Sequence, residues 1–406
     1  MNTDISQGID LDAWKDAGLG DPAFRELESL PGIPNRSAAS PADTAVAEPV
    51  KRQAAAPLRT HWEKVVAGWP EGKDFDQPSG QPLLKEVKFL RPEDRTLVQK
   101  SALMKNFGLA RERTQKLFDA IVLGDLNQAQ GLIDVVESLM GLMSSDPHAT
   151  LAFTLMRSGS LGEYQYRHAV NTSTLAIATA MASGFSRDQV RDIGLGGLIA
   201  DIGMLLVPDD ILNKTEKLAA EELAEIHRHV QYGADLLERV AGIQPTVLTV
   251  ILQHHERLAG AGYPRHLKAE GISHAARVVA IADTLAAMVH KRSHRNAMLA
   301  QEAVDRVIKM GRMQFLDSTY IRYLAGWLSA YPVGVGVLLQ SGYVGRVIAA
   351  NLDDFNRPVI ALLKAPGGQW LPLKQISTLD MRQAGQETIV RCLDDQEADF
   401  KGLEGF

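Results

Sequence analysis

The spacing of apolar residues changes character once along this chain of 406 residues. From about Leu84 to residue 331, apolar side chains recur at three- and four-residue steps, which is the period of an amphipathic α-helix. The helical runs are 125–146, 163–184, 187–206, 219–239, 244–257, 274–291 and 297–313. After Pro332 short strand-like runs follow, at 336–340, 344–352, 358–365 and 369–375. The pattern predicts a mainly α protein that ends in a small antiparallel β-module.

Four segments are expected along the chain, whose length as a prior accommodates two or three domains. Residues 1–82 lack strong periodicity, include an Ala-, Pro- and Ser-rich stretch at 36–57, and are predicted to be an acidic, largely disordered leader and linker. Residues 83–150 are predicted to form an N-terminal helical region, 151–331 a larger helical domain, and 332–406 the β-module. The leader is either solvated and disordered, which is favoured, or a protein-interaction tail.

Charge and composition exclude several classes of protein. Hydrophobic residues make up 45% and charged residues 23% of the chain, which is ordinary for a soluble globular protein. Residues 1–50 hold nine acids and three bases, so the formal net charge of −6 lies there and the remainder is balanced. Because this remainder lacks a basic footprint, no nucleic acid polymer is expected as a partner. The single cysteine, Cys392, fits a reducing compartment, and we expect a cytoplasmic protein.

Membrane segments are not expected either. The first ten residues have neither the basic nor the apolar region of a signal peptide. Residues 323–345 carry no charge over 23 residues, which is long enough to span a bilayer. However, Pro332 and five glycines interrupt this stretch. A helix that ends near Ala330, followed by a β-strand, explains it better than a membrane insertion.

Histidines and buried aspartates are the residues that indicate chemistry. Nine of the eleven histidines lie between His168 and His294. Asp201 lies in the apolar run LGGLIADIGMLLVP, and Asp283 lies in ARVVAIADTLAAMV. A carboxylate buried in such a helix costs several kcal/mol unless a cation or a partner offsets it. For each aspartate alone, a hydrogen bond between helices is an equally good explanation.

Taken together with four histidines, the two aspartates favour a metal site. The candidate residues are His168, Asp201, His229, His254, His255 and Asp283. Imidazoles with a bridging carboxylate suit Fe, Mn, Zn or Ni better than Ca or Mg. If His254 and His255 lie on one helix, their side chains point about 100° apart and face neighbouring sides of a cavity. A two-metal site of this kind activates a water and clamps a phosphoryl oxygen, which predicts phosphoester hydrolysis.

A longer motif resembles that of a known family. Residues 254–264 read HHERLAGAGYP, which resembles the HHExxDGxGYP signature of HD-GYP domains. Further elements of that family are matched in order by EYQYRHAV, LIADIGMLLVPDDILNKTEKL, EIHRHVQYGADLL and ARVVAIADTLAAMVHKRSHR. The resemblance covers roughly 150–331, and YPVGVGVLLQSGYVGRVIAAN resembles a β-tail often found after such domains. It identifies 151–331 as an HD-GYP domain of the helical HD superfamily.

The resemblance implies a metal-dependent phosphodiesterase that hydrolyses the bacterial second messenger cyclic di-GMP, with one or two ions of Fe or Mn. The six residues named above would be its metal ligands, with Asp201 bridging the metals. Arg292 and Arg295 would lie near the nucleotide, although a solvated helix end explains them equally well. The residues of the GYP loop would form a turn beside the site; they are Gly260, Gly262, Tyr263 and Pro264. Other signalling proteins could bind through this loop or the N-terminal region.

Two departures from the family pattern bear directly on activity. Ala200 stands where the family has the His of its HD pair, and Met204 stands where it has a lysine. The resemblance implies one metal held by Asp201, His229, His254 and His255, whose ligands are all present. A second metal would be held by His168, Asp201, Asp283 and the absent histidine. The absent lysine matters separately, because a cation aimed at the developing phosphate charge is worth about 10²–10³ in rate.

Three hypotheses follow from these departures. The first is a degenerate HD-GYP protein that binds metal and perhaps nucleotide, with weak or absent phosphodiesterase activity. The second is an active cyclic di-GMP phosphodiesterase with a mononuclear or rearranged site, in which Glu163 or Tyr164 supplies a substitute contact. The third is a metal-free protein-interaction module that keeps the helical core. The presence of all six other ligands argues against the third.

Overall fold

A computed structural model describes residues 97–155, 164–214, 216–290, 297–351, 354, 356–393 and 395–398. The leader predicted for 1–82 lies outside these residues, as do Glu163, Arg292 and Arg295. The first helices in chain order are α1 (Leu97–Val122), α2 (Ala129–Ser145), α3 (Pro147–Leu155), α4 (Tyr164–Ser183), α5 (Arg187–Ile199) and α6 (Asp209–Leu212). They are followed by α7 (Ala220–His227), α8 (His229–Leu237), α9 (Pro245–Gln253), α10 (His274–Val289), α11 (Ala300–Arg312), α12 (Ser318–Leu328) and α13 (Asp395–Ala398).

Capping residues and a proline mark the N-termini of several of these helices. Ser186 and Gln189 form a capping box at the start of α5, since the Ser186 hydroxyl accepts from the Gln189 amide at 3.3 Å and the Gln189 side chain accepts from the Ser186 amide at 3.0 Å. The Ser273 hydroxyl accepts from the Ala276 amide at 3.1 Å and begins α10. Pro245 begins α9, where its missing N–H costs nothing.

Helix α4 lies at the centre of the helical body, packed against α5 and α10. Every residue of α4 from Tyr166 to Ser183 is buried, and α10 is buried from Val278 to Val289. A single hydrophobic cluster runs from Phe107 to Leu328 and therefore includes α1 and α2 as well. The division of this body into 83–150 and 151–331 stays a prediction.

Three helical runs of the sequence are interrupted in the structure. The run 187–206 is α5 followed, after Ala200 and Asp201, by a short 3₁₀ helix at Ile202–Leu206. The run 219–239 breaks at Arg228, between α7 and α8. Helix α9 ends at Gln253, so the expectation that His254 and His255 lie together on a helix was wrong. Each break adjoins a candidate ligand.

The C-terminal module is a five-stranded antiparallel sheet of order β4-β3-β2-β1-β5. Its strands are β1 (Gly336–Leu339), β2 (Val344–Ala349), β3 (Val359–Lys364), β4 (Thr378–Asp380) and β5 (Ile389–Leu393). The first three predicted strands are confirmed. The fourth, at 369–375, was wrong, because the chain makes an isolated bridge at Trp370 and then a 3₁₀ turn at Leu373–Gln375.

The uncharged stretch at 323–345 is divided as expected, because α12 ends at Leu328 and β1 begins at Gly336. Within the part of the chain that the structure describes, no helix combines the length and the apolar character that a bilayer crossing requires.

Candidate metal centre

Asp201 lies at the break between α5 and the 3₁₀ helix. Its backbone carbonyl accepts a hydrogen bond from the Met204 amide at 2.9 Å, which turns the chain. Gly203 allows this turn to lie directly against α8, since a Cβ atom there would collide with the carbonyl oxygen of His229. The Asp201 carboxylate, which is 26% exposed, is thereby held against the first residue of α8.

A first cluster, the four-ligand group, consists of Asp201, His229, His254 and His255. One ligand atom from each residue lies within 4.8 Å of those of the others. The Asp201 Oδ1 atom is 3.1 Å from His229 Nε2 and 3.5 Å from His254 Nε2. The ring of His255 lies 4.0 Å from that of His254 and 5.0 Å from that of His229, measured between centroids.

Backbone carbonyls fix the tautomers of two of these histidines. His229 Nδ1 lies 2.8 Å from the Ile226 oxygen, and His254 Nδ1 lies 2.7 Å from the Ile251 oxygen. Because a carbonyl only accepts, each Nδ1 carries the proton and each Nε2 of the neutral ring carries a lone pair. Both Nε2 atoms are buried and make no hydrogen bond with the described part of the chain. Two lone pairs thus point toward the Asp201 carboxylate.

Burial and the neighbouring rings also keep His255 neutral. Burial lowers the pKa of His255 well below its usual range, and His254 and His229 lower it further. Burial would raise the pKa of Asp201, but the hydrogen bond from His168 is the largest of the interactions that outweigh it and hold that pKa well below its usual range. The four-ligand group therefore offers a neutral His255 ring beside an ionised Asp201 carboxylate.

A second cluster, the three-ligand group, consists of His168, Asp201 and Asp283, again with ligand atoms within 4.8 Å of one another. His168 Nε2 lies 2.8 Å from Asp283 Oδ1 and 3.2 Å from Asp201 Oδ2. Burial would lower the pKa of His168, but the Tyr164 phenol and both carboxylates outweigh it and raise that pKa well above its usual range. A proton on His168 Nε2 therefore lies between the two carboxylates, whereas His168 Nδ1 is buried and makes no hydrogen bond with the described residues.

The four-ligand group fits a divalent transition metal. Three imidazoles and a carboxylate are the donor set that such ions prefer, and the buried Nε2 lone pairs of His229 and His254 have no hydrogen in reach to satisfy them. Outer contacts from the Ile226 and Ile251 carbonyls orient the rings as in known metal sites. Among the described residues, the two clusters are the groups of His, Cys, Asp and Glu that could hold an ion.

The structure places the two departures at this centre. Ala200 is 3% exposed, caps the C-terminus of α5 and immediately precedes the shared Asp201. Met204 is partly buried in the 3₁₀ helix and contributes no charge. The Tyr164 ring stacks on that of His168, with centroids 5.4 Å apart and the planes 10° from parallel.

The GYP loop lies against the backbone of His255. A Cβ atom at Gly262 would collide with the His255 carbonyl oxygen, and the Tyr263 amide donates to that same oxygen at 3.2 Å. Gly260 adopts a positive φ of 82°, which turns the chain into the loop. The Tyr263 ring stacks on His255, with centroids 4.6 Å apart.

Glu256 is a residue whose role the sequence analysis missed. Its carboxylate is buried and accepts from the amides of Arg265 at 2.7 Å and Leu267 at 2.9 Å, which closes the GYP loop. Burial raises the pKa of Glu256. The position of this acid between the two histidines and the glycines of the motif was the available signal, but an acid at a motif position could equally have been a ligand.

The helical body and its buried His and Asp residues define a class of protein, the HD domain. Residues 156–319 match the HD domain family. The chain is 33% identical over 272 residues to the cyclic di-GMP phosphodiesterase PA4108 of Pseudomonas aeruginosa, which covers 67% of this chain and 64% of the relative. It is 35% identical over 136 residues to the cyclic di-GMP phosphodiesterase response regulator RpfG of Xanthomonas campestris, covering 32% of this chain and 35% of the relative.

A third relative is named for a different cyclic dinucleotide. The 3′3′-cGAMP-specific phosphodiesterase 1 of Vibrio cholerae is 34% identical over 143 residues, which cover 35% of this chain and 33% of the relative. The chain thus spans less than two thirds of the length of each of these relatives. With the HD match over residues 156–319 and the HHERLAGAGYP motif, these similarities support the HD-GYP family for this helical domain.

Proposed function

We propose that this chain binds a divalent transition metal, Fe or Mn, at the four-ligand group and binds a cyclic dinucleotide beside it, with weak or absent hydrolysis. Its role would be in bacterial cyclic di-GMP signalling in the cytoplasm. One observation carries the proposal, namely the convergence of Asp201 Oδ1 with two buried Nε2 lone pairs at 3.1 and 3.5 Å. Lone pairs that face one another repel unless a cation lies between them, so a purely structural role does not explain this arrangement.

The ligand class rests on the relatives. Two of them are named as cyclic di-GMP phosphodiesterases and one as specific for 3′3′-cGAMP, so cyclic di-GMP is the first candidate and its mixed analogue the second. A bound metal would polarise a phosphoryl oxygen and lower the pKa of a bound water. Arg292 and Arg295, which lie outside the described residues, are proposed to contact the nucleotide.

Weak hydrolysis is proposed because two groups are absent from the centre. Because residue 200 is an alanine, the three-ligand group contains a single imidazole, that of His168, beside two carboxylates. A proton on His168 competes with a second metal for these ligands. Without a cation at Met204, the charge that develops on the phosphate lacks a stabilisation of about 2.7–4 kcal/mol.

An active phosphodiesterase is the second candidate function. The observation in its favour is that His168 and Asp283 still lie next to the shared Asp201, with His168 Nε2 at 2.8 and 3.2 Å from the two carboxylates. A rearranged site that uses these residues would retain turnover. The third hypothesis, a metal-free interaction module, leaves the buried imidazoles of the four-ligand group without a function.

The deciding experiment measures metal content and turnover on the same sample. The protein is loaded anaerobically with Fe(II) or Mn(II), bound metal is counted, and cyclic di-GMP binding and hydrolysis are followed, with His254→Ala as control. Metal and nucleotide binding without turnover is the expected result. Turnover that disappears in His254→Ala would establish the second candidate, and a metal-free chain would establish the third.

A further inference from the structure

Each of the three histidines of the four-ligand group needs something to fix its ring. His229 and His254 have carbonyl partners on Nδ1, as described above. His255 has no such partner, because its Nδ1 is buried and hydrogen-bonds to nothing among the residues described. A metal ligand whose ring can rotate binds more weakly than one held in place by its surroundings. Another kind of contact must therefore orient His255.

A column of three stacked rings supplies that contact. The His227 ring lies on one face of Tyr263, with centroids 3.8 Å apart and planes 12° from parallel. The His255 ring stacks on Tyr263 as well, with centroids 4.6 Å apart and planes 23° from parallel. Tyr263 is 8% exposed, so packing leaves its ring little freedom to move. The column links the end of α7, through the GYP loop, to a candidate metal ligand.

The backbone holds both ends of the column at fixed positions. His227 is the last residue of α7, and the chain enters α8 two residues later at the ligand His229. At the other end, the Tyr263 amide donates to the His255 carbonyl oxygen at 3.2 Å. Stacked aromatic pairs favour near-parallel, offset arrangements, so a change of ring tilt at one end of the column opposes packing at the other.

We infer that His227 is a positioning residue, which orients the ligand His255 through the Tyr263 ring and thereby strengthens metal binding at the four-ligand group. This inference rests on the proposed metal binding. His227 itself would contact neither metal nor substrate. Its ring, and not its ability to titrate or ligate, is the property that acts.

The test compares two substitutions that keep volume but differ in aromatic character. His227→Leu removes the ring, whereas His227→Phe retains a stacking partner for Tyr263. We expect His227→Leu to weaken Mn(II) or Co(II) binding about three- to tenfold, the range of a lost aromatic pair, with His227→Phe close to the unsubstituted chain. Co(II) absorption should change in His227→Leu, since that band reports coordination geometry. Glu221→Gln, an exposed position at the start of α7, is the matched control and should change nothing.

The outcomes separate this inference from the proposed function. An unsubstituted chain that binds no metal overturns both. Metal binding by the unsubstituted chain with His227→Leu unchanged overturns the inference alone, as does equal weakening in His227→Leu and His227→Phe. If His227→Leu fails to fold, the pair Tyr263→Phe and Tyr263→Leu repeats the comparison at the middle ring, and equal Co(II) affinity and spectra in these two variants would overturn the inference.

Discussion

In the four-ligand group, His229 and His254 turn Nε2 lone pairs toward Asp201 while backbone carbonyls hold their Nδ1 protons. In the three-ligand group, His168 instead turns its Nε2 toward two carboxylates, at 2.8 Å from Asp283 and 3.2 Å from Asp201. The first arrangement leaves lone pairs that a cation would satisfy. In the second, a single proton on His168 Nε2 already lies between the two carboxylates. The imidazole that is absent at Ala200 would belong to the three-ligand group, whose side chains hold one another in place without a metal.

The largest effect is expected from restoring both absent groups with Ala200→His and Met204→Lys. The added imidazole would complete the three-ligand group, and the added cation would face the phosphate charge, so hydrolysis of cyclic di-GMP should rise by about 10²–10³. The measurement is turnover with Fe(II) or Mn(II), together with a count of metal per chain. That count should rise from about one toward two.

A matched variant separates the two additions. Ala200→His with Met204→Leu restores the ligand without the charge, and it should bind the second metal while hydrolysing more slowly than the variant with lysine. Equal rates in the two variants would contradict the assigned effect of the lysine. Because Ala200 is 3% exposed, urea unfolding of each variant checks that the larger side chain is accommodated.

The clustering of the candidate ligands was predictable from the sequence, and the local backbone around them was not. Asp201 and Asp283 stand out because a carboxylate in an apolar run requires a partner, and the structure brings both next to His168. Their use as metal ligands stays a prediction. The breaks at Asp201 and Arg228 were missed because apolar residues continue at helical spacing across both of them.

Tertiary contacts explain these breaks. Gly203 leaves room for the 3₁₀ helix against α8, a contact between segments about 30 residues apart that no local pattern reveals. In the sheet, Pro372 was a signal against the strand predicted at 369–375, since proline cannot donate to a ladder. Strand β5 was missed although Ile389 and Val390 favour a strand, because its partner β1 lies far back in the chain.

Removing one histidine from each group tests the contrast between the groups directly. His254→Gln should weaken binding of the first metal by at least the 10–100-fold that loss of an outer contact costs, because it removes a ligand outright. His168→Gln should leave that first metal in place, since His168 belongs to the other group. Calorimetric titration of Mn(II) into metal-free protein measures both affinities.

Asp201→Asn is the reference for this pair, because Asp201 belongs to both groups and its loss should weaken every metal that binds. Asp210→Asn, an exposed acid on α6, should bind metal like the unsubstituted chain. Equal losses in His254→Gln and His168→Gln would show that the two groups act as one site, and the contrast drawn here would then be wrong.

The smallest effect is expected at Gly262, where the GYP loop lies against His255 of the four-ligand group. Gly262→Ala would bring a methyl group into the carbonyl oxygen of His255 and the Cα atom of Glu256, so the loop must shift. We expect a loss of about 1–3 kcal/mol in the free energy of unfolding, as for other overpacked positions. Since Tyr263 follows directly, the shift should also weaken binding of the first metal.

Gly271→Ala supplies the comparison for this change, because its Cβ atom would meet only ordinary contacts, the nearest being 3.4 Å from a Leu267 methyl carbon. Urea unfolding of metal-free protein and Mn(II) titration are measured for both variants. Gly271→Ala should be neutral in both. A Gly262→Ala variant that loses stability but keeps its metal affinity would mean that the loop supports the fold and does not position His255. A loss of Mn(II) affinity in Gly262→Ala but not in Gly271→Ala would show that the GYP loop supports metal binding at the four-ligand group.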